Sequence, residues 1–331
     1  MEKLLSSVNS DYNNDKHNWY EIERQVTNIA KAGFTHTQWI HDWEAEYIYS
    51  PSEMFQARDL LKDLGIHAHS LHASEGGIRT IKENGKKIFQ NRYRLTNIRK
   101  DYTSTNEYCR LAGVDLLKNR IDLCSHIGAS VMVFHMQLPW KLFEESPQDK
   151  EDYYRQVCKS LDELEPYAKA AGVRMALENL IVTPWQVQEE QFDRMFNRYD
   201  SDFLGFTFDS GHATLMCRHD FYYFLRKYHK RMYATHLQEN ESISEELAKD
   251  DTAILEHDKH WVPMDPRGHG TLDWAEIAKW VAKSPVELPA DFEVGIYGKD
   301  EQDEMEQLIA CRKTAEKFYQ MVLDEKKKGQ S

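Results

Sequence analysis

DYYRQVCKSLDELEPYAKAAGVRMALE, residues 152–178, carries the pattern that decides the fold. Apolar side chains recur at helical spacing up to residue 171, Gly172 follows, and the run 174–177 is short and largely apolar. A glycine at the end of a helix tolerates the left-handed turn that closes it, so Gly172 predicts a joint between a helix and a strand. The same joint is predicted at three further glycines: Gly33, Gly65 and Gly128.

This alternation of helix and strand continues along nearly the whole chain. Strand next to helix implies a parallel sheet, because parallel strands need a crossover connection. Eight such strands favour a closed (β/α)₈ TIM barrel over an open sheet, and we expect residues 1–331 to form a single TIM-barrel domain. The predicted strands are 3–8, 34–40, 66–71, 130–134, 174–177, 204–208, 232–235 and 290–294, and the predicted helices include 19–32, 52–64, 113–127, 152–171 and 272–282.

Three stretches exceed a minimal barrel. Residues 73–112 are polar and basic, and they predict a long excursion between the third strand and the third helix. Residues 238–271 form a second long loop, rich in acidic residues and then in His, Pro and Gly. Residues 300–328 predict a charged helix at the C-terminal end.

Charge and composition narrow the class of partner. The 331 residues include 42 Lys and Arg against 55 Asp and Glu, so the formal net charge is 42 − 55 = −13. Nucleic-acid binding usually needs a basic surface, so this balance disfavours a nucleic acid as partner. A hydrophobic fraction of 41% is enough for a sizeable core and excludes wholesale disorder.

The remaining composition favours a cytoplasmic protein. No apolar run approaches the ~20 residues of a membrane helix, and the first residues lack the apolar centre of a signal peptide. The five cysteines lie far apart without a CxxC pair, which indicates reduced side chains. The oligomeric state stays open, although large barrels often form homo-oligomers.

Polar residues that could carry chemistry stand where the predicted strands end, and the carboxyl end is where barrels of this kind place their sites. Burying several carboxylates together without a cation is costly, so we interpret them as one site. Mixed oxygen and nitrogen ligands suit a divalent ion such as Mn²⁺, Co²⁺, Mg²⁺ or Zn²⁺. Six of the eight strands end in this way, at His72, His135, Glu178, Asp209, His236 and Glu293, and His212 follows shortly after Asp209.

Several of these residues lie in motifs that resemble the xylose-isomerase-like TIM-barrel superfamily. That group includes sugar and sugar-phosphate isomerases and epimerases, enzymes of the inosose dehydratase and hydroxypyruvate isomerase types, and endonuclease IV. The resemblance covers nearly the whole chain in the same strand order. The motifs are ALEN around Glu178, FDSGH from Asp209 to His212, THL around His236, FEV around Glu293 and GHGTLDW at 268–274.

The resemblance to the ketose epimerases implies one metal ion held by Glu178, Asp209, His236 and Glu293. It also implies that Glu178 and Glu293 are the catalytic acid and base, while His212 contacts the substrate. Independent chemistry agrees, because two carboxylates on opposite faces of a sugar can remove a proton from carbon and return it. A divalent ion would stabilise the enediolate intermediate of that transfer.

Further substrate contacts are expected around the same site. Asp258, His260, Arg267 and His269 resemble a segment in which family members contact substrate. For Arg267 a sugar hydroxyl or phosphate is one partner, and an ordinary surface position is the alternative. His72 and His135 match substrate-contacting residues of the sugar enzymes and equally the zinc-binding histidines of endonuclease IV.

Four functions therefore stay open at this point. The leading hypothesis is a metal-dependent sugar or sugar-phosphate isomerase or epimerase. The alternatives are a dehydratase acting on a cyclitol or keto acid, a metal-dependent phosphodiesterase like endonuclease IV, and a binding protein that has lost catalysis. A full set of four predicted ligands disfavours the last, and the charge of −13 disfavours the nuclease.

Overall fold

A computed structural model describes residues 3–13, 18–42, 45–74, 76, 80–83, 86–89, 99–136, 138–217, 219–264 and 270–329. The strands are β1 (Ser6–Asn9), β2 (His36–Trp39), β3 (His67–His72), β4 (Thr80–Glu83), β5 (Lys86–Phe89), β6 (Val131–Phe134), β7 (Arg174–Glu178), β8 (Leu204–Asp209), β9 (Met232–His236) and β10 (Ala290–Phe292). The helices are α1 (Trp19–Ala32), α2 (Pro51–Leu64), α3 (Glu107–His126), α4 (Trp140–Glu145), α5 (Pro147–Ala171), α6 (Trp185–Arg198), α7 (Ser210–Met216), α8 (Tyr223–Tyr228), α9 (Asp251–His257), α10 (Trp274–Val281) and α11 (Glu301–Lys328).

Eight of these strands form the barrel that the sequence predicted. Their order is β10-β1-β2-β3-β6-β7-β8-β9, and every neighbouring pair is parallel. The ring closes just past β9, where Leu237 pairs with Phe292 of β10. The carboxyl ends of all eight strands therefore lie on one side of the barrel, which is where side chains from different strands can meet.

The predicted glycine joints are confirmed. Gly33, Gly65 and Gly172 each end a helix in the left-handed conformation, with φ of 89°, 67° and 71°. In each case the glycine N–H donates to a carbonyl of the last helical turn, and a barrel strand starts within three residues. An L-residue with a Cβ would resist this φ, which is why glycine stands there.

Two helices begin earlier than the sequence patterns indicated. The pattern at 113–127 belongs to α3, which begins at Glu107 because the Asn106 side chain accepts hydrogen bonds from Tyr108 N and Cys109 N. The pattern at 152–171 belongs to α5, which begins at Pro147 behind the capping residue Ser146. Capping side chains define these starts, and apolar spacing alone does not detect them.

The two long excursions contain structure of their own. The one after β3 includes the antiparallel hairpin of β4 and β5, and the one after β9 includes α9. Because β3 and β9 lie opposite each other in the ring of eight, the excursions start on opposite sides of the barrel. They meet where α9 lies against β5.

Apolar side chains fill three regions. The largest lies between the barrel and the helices, and it includes Trp39, Phe134 and Phe206. A second, in the barrel interior, consists of Val131, Val133, Ala176, Tyr233 and Ala234. A third anchors the excursion after β9 and consists of Ile181, Val182, Leu215, Ile243 and Ile254. Among the described residues, no helix is both long and apolar enough to cross a membrane.

Candidate metal centre

Four side chains converge at the carboxyl end of the barrel. Glu178, Asp209 and His236 are the last residues of β7, β8 and β9, and Glu293 directly follows β10. Each offers one ligand atom, and these atoms all lie within 4.8 Å of one another. The first three are buried, whereas the Glu293 side chain keeps 14% of its surface exposed. The arrangement could hold a metal ion that is reached from the side of Glu293.

The contact between His236 and Glu293 supports this interpretation. His236 Nδ1 and Glu293 Oε2 are 2.8 Å apart. Both atoms are buried, and Glu178 Oε1 lies 3.1 Å from the same nitrogen. Without an ion, a proton on Nδ1 can bridge these atoms, and a divalent cation that accepts a lone pair from each would take the place of that proton. The donor set therefore fits a divalent metal ion.

Charge repulsion among the carboxylates of the centre also favours a bound cation. Burial raises the pKa of Asp209 to about 7; His212 opposes this rise, and the carboxylates of Glu178 and Glu293 add to it. Burial would also raise the pKa of Glu178, but its contacts with His236 and His135 hold that pKa well below the usual range. Three carboxylates thus share a space in which one tends to keep its proton, and a cation would remove that tendency.

Asp209 is fixed by its neighbours on every side. Its Oδ1 accepts a hydrogen bond from His212 N at 2.6 Å, which caps α7, and its Oδ2 accepts one from Gln238 Nε2 at 2.8 Å. The Asn179 side chain bonds both the N–H and the carbonyl of Asp209, at 2.9 and 2.8 Å. Such outer contacts orient a ligand before the ion arrives.

His236 has a comparable support in Gln38, whose side-chain amide lies 2.6 Å from His236 Nε2. Ligation of a metal through Nδ1 places the ring proton on Nε2, and the Gln38 amide would then present its oxygen, which has no other hydrogen-bond partner among the described residues, to that proton. The sequence analysis did not single out Gln38, Asn179 or Gln238. One signal was available for two of them, since Asn179 directly follows Glu178 and Gln238 stands two residues after His236, on the same face of the extended chain.

A second group of possible ligands lies on the other side of Glu178. It consists of His72, His135 and Glu178, whose ligand atoms also lie within 4.8 Å of one another. Glu178 Oε2 is 2.9 Å from His135 Nε2 and 3.4 Å from His72 Nε2, whereas Glu178 Oε1 is 3.1 Å from His236 Nδ1. The two carboxylate oxygens of Glu178 therefore face different groups.

His212 lies in the same pocket. Its Nδ1 is 2.9 Å from the Asn179 carbonyl, 3.2 Å from Glu178 Oε1 and 3.6 Å from Asp209 Oδ2. Burial would lower the pKa of His212, but Asp209 and Glu178 raise it to about 9. Its position beside two members of the centre is the one expected for a residue that contacts substrate.

The loop after β9 contributes His260 at the rim. His260 is half-buried, and its Nε2 lies 3.3 Å from Asp258 Oδ2. Burial would lower the pKa of His260, but Asp258 raises it to about 10. Arg267 and His269, the other residues predicted here, lie outside the described residues.

Comparison with known proteins agrees with the fold. The family model described as xylose isomerase-like TIM barrel matches residues 26–314. The chain belongs to this family. The chain is also similar to the uncharacterized protein y4fM of Sinorhizobium fredii. The two are 31% identical over 279 residues, which cover 83% of this chain and 82% of that protein.

Solved structures similar to this xylose isomerase-like barrel include several sugar epimerases. An L-ribulose 3-epimerase has a TM-score of 0.61 at 16% identity, with 99% of this chain and 97% of that chain covered. A D-psicose 3-epimerase has a TM-score of 0.61 at 14% identity, with 97% and 99% covered. The 3-keto-D-glucoside 4-epimerase of E. coli has a TM-score of 0.57 at 15% identity, with 94% and 100% covered. At these identities the similarity is one of fold.

Proposed function

We propose that this protein is a metal-dependent sugar isomerase or epimerase that moves a carbon-bound proton. The observation that carries the proposal is the pair Glu178 and Glu293, two carboxylates that approach His236 Nδ1 from different strands, at 3.1 and 2.8 Å. The fold of the family and its sugar-epimerase neighbours support the same class of reaction. Fold alone would not decide it, so the argument rests on the site.

A divalent ion would be held by Glu178, Asp209, His236 and Glu293. Such an ion would supply positive charge that makes a C–H bond next to a substrate carbonyl more acidic. Gln238 and Asn179 keep Asp209 in place, and Gln38 keeps His236 turned towards the centre.

The two glutamates carry the proton. One takes it from the carbon as a base, and the other delivers a proton as an acid, so their protonation states must differ. Glu293 is the more accessible of the two and lies at the entrance, whereas Glu178 is buried against His135. His135 Nε2, at 2.9 Å from Glu178 Oε2, can share the proton that Glu178 gains.

Substrate hydroxyls would be bound by the histidines that surround the glutamates. His72 and His135 stand on one side of Glu178 and His212 on the other. His260 closes the rim, and we assign Arg267 to the same loop contact on the basis of the sequence. We therefore propose a small polyhydroxy compound as the substrate class.

The test is proton exchange on carbon. The protein is incubated with a panel of ketoses and inososes in deuterated water containing Mn²⁺ or Co²⁺. The deuterium content of each compound is then measured by mass spectrometry. We expect one deuterium at one carbon with the wild-type protein, and a rate at least about a hundredfold lower with Glu293→Gln, since a general base contributes that much. Exchange with loss of water would indicate the dehydratase instead.

Glu276→Gln serves as the matched control. Glu276 lies on α10 and accepts a hydrogen bond from Trp280 Nε1, away from the strand ends. This variant should exchange deuterium at the wild-type rate. No exchange with any sugar of the panel would refute the proposal.

A second candidate is a phosphodiesterase of the endonuclease type. The observation in its favour is the second ligand group, His72, His135 and Glu178, which would give a centre of more than one ion. Metal analysis of the purified protein and an assay for cleavage of abasic-site DNA test it. Two or three ions per chain with DNA cleavage would support this candidate, and one ion without cleavage would exclude it.

A further inference from the structure

The excursion after β9 brings an ion pair back to the rim of the metal centre. His260 Nε2 lies 3.3 Å from Asp258 Oδ2. The backbone carbonyl of His260 accepts a hydrogen bond from Gly295 N at 3.1 Å, two residues past Glu293. His260 also interacts electrostatically with Glu293, and Asp258 with His212. The pair therefore lies near both Glu293 and His212, two residues of the candidate site.

Asn240 holds this pair by three hydrogen bonds to three successive residues. It is fully buried, four residues after the end of β9. Its Oδ1 accepts from Lys259 N at 2.5 Å and from His260 N at 3.2 Å. Its Nδ2 donates to Asp258 Oδ1 at 3.1 Å. One side chain thus fixes both the backbone and the carboxylate of the pair.

The backbone at His260 needs this support. His260 has φ of 48°, a left-handed conformation that is unfavourable for a residue with a side chain. The space for Asn240 depends on Gly211, because a Cβ at that position would lie 2.6 Å from Asn240 Nδ2. A strained residue persists only where its surroundings impose it, and such residues concentrate at functional sites.

We propose that Asn240 is a positioning residue that fixes the Asp258–His260 pair at the rim, and that the pair selects the substrate by binding its hydroxyl groups. The inference rests on the proposed function, and it adds the residue that orders the substrate contact and the chemistry of that contact. The pair offers N–H donors and carboxylate acceptors with no net charge, a combination that matches neutral hydroxyls better than an anionic group.

Asn240→Ala tests the proposal through two independent readouts. Hydrogen exchange measured by mass spectrometry reports the amides of Lys259 and His260, which lose their acceptor and should exchange at least about tenfold faster. Proton exchange on the most active ketose of the panel reports kinetics. We expect KM to rise about tenfold, which is about 1.4 kcal/mol of lost binding, with kcat within about threefold of the wild-type value. The dissociation constant for Mn²⁺ should stay unchanged.

Two further variants complete the design. Asn240→Asp keeps an acceptor for both amides but places a carboxylate against Asp258, so KM rises while the amides stay protected; it also serves if Asn240→Ala fails to fold. Asn119→Ala is the matched control, because Asn119 fixes the loop after β2 through hydrogen bonds to the N–H and carbonyl of Tyr49. It should speed exchange at Tyr49 and leave KM unchanged.

Each outcome has one meaning. An unchanged KM, or unchanged amide exchange at residues 259 and 260 in Asn240→Ala, overturns the inference while the proposed function stands. Weaker Mn²⁺ binding in Asn240→Ala also overturns it, because the pair would then belong to the metal ligands. No proton exchange in the wild-type protein refutes the proposed function, and the substrate role of the pair falls with it.

Discussion

Metal binding at the centre should release protons, and their number follows from the side chains that must lose them. His236 has to present a bare Nδ1, and Asp209 has to be ionised, before both can act as ligands. Burial opposes the protonated form of His236, but Glu178 and Glu293 raise its pKa well above the usual range. His236 therefore gives up about one proton at any pH between 6 and 8.

Asp209 adds a part that depends on pH. With its pKa raised to about 7, Asp209 is mostly protonated at pH 6 and mostly ionised at pH 8. The total release therefore falls from about two protons at pH 6 to about one at pH 8. Since the slope of log affinity against pH equals the number of protons released, the affinity should rise between about tenfold and a hundredfold for each pH unit from pH 6 to pH 8.

The assay is isothermal titration of the metal-free protein with Mn²⁺ in buffers that differ in ionisation enthalpy. The difference in apparent heat between buffers gives the number of protons directly. Asp209→Asn should bind Mn²⁺ more weakly and release about one proton at every pH, because the contribution of His236 alone remains. Asp202→Asn, an exposed carboxylate paired with Lys169, should match the wild-type protein. A release below about half a proton at pH 7, or an affinity that does not change with pH, would refute the assignment of these ligands.

Two predictions concern the excursion after β9. Glu239 is buried, and its two oxygens accept hydrogen bonds from Thr271 N, Leu272 N and Trp274 Nε1, the last at 2.6 Å. In Glu239→Gln the amide NH2 faces at least one of these donors, so the free energy of unfolding should fall by about 1–3 kcal/mol in urea titrations. Glu276→Gln alters a similar Glu–Trp pair at the surface and should change it by less than about 0.5 kcal/mol, and equal effects would contradict this reasoning. Asp258→Asn removes the charge that keeps His260 protonated at a pKa of about 10, so KM of the variant should rise between pH 6 and 8 as the imidazolium is lost, whereas the wild-type KM stays flat. Parallel KM profiles of the two proteins would contradict the role of Asp258.

The sequence was sufficient to predict the barrel because each repeat carries the same local signal. Gly172 is an example. It has a left-handed φ of 71° between α5 and β7, and the sequence indicates this turn by a glycine, in Ala-Gly-Val, between a helical and an apolar pattern. The positions of the strands also allowed the site to be predicted. Once a strand is placed, its last polar residue must lie at the carboxyl end of the barrel, and this brought Glu178, Asp209 and His236 together.

What the sequence could not predict are contacts between distant parts of the chain. Gln38 meets His236 across 198 positions, and nothing in the sequence around Gln38 distinguishes it from a surface glutamine. Asn240 is similar, because its three partners lie in a loop whose path is set by the apolar group of Ile243 and Ile254 and not by any local motif. Buried Asn and Gln side chains such as these do not follow a periodic sequence pattern, so their contacts can be identified only once the fold is known.

Glu178 links the number of metal ions to the class of reaction. Its Oε1 faces His236, and its Oε2 lies 2.9 Å from His135 Nε2 and 3.4 Å from His72 Nε2. If the histidine side holds no ion, Oε2 keeps a partner that can exchange a proton with it, and Glu178 remains able to act as an acid or a base on carbon. If both sides hold ions, both oxygens are committed to metal, and no proton can be stored there; activation of water between two ions becomes the available chemistry. Counting the ions per chain therefore also decides between proton transfer and hydrolysis, before any substrate is known.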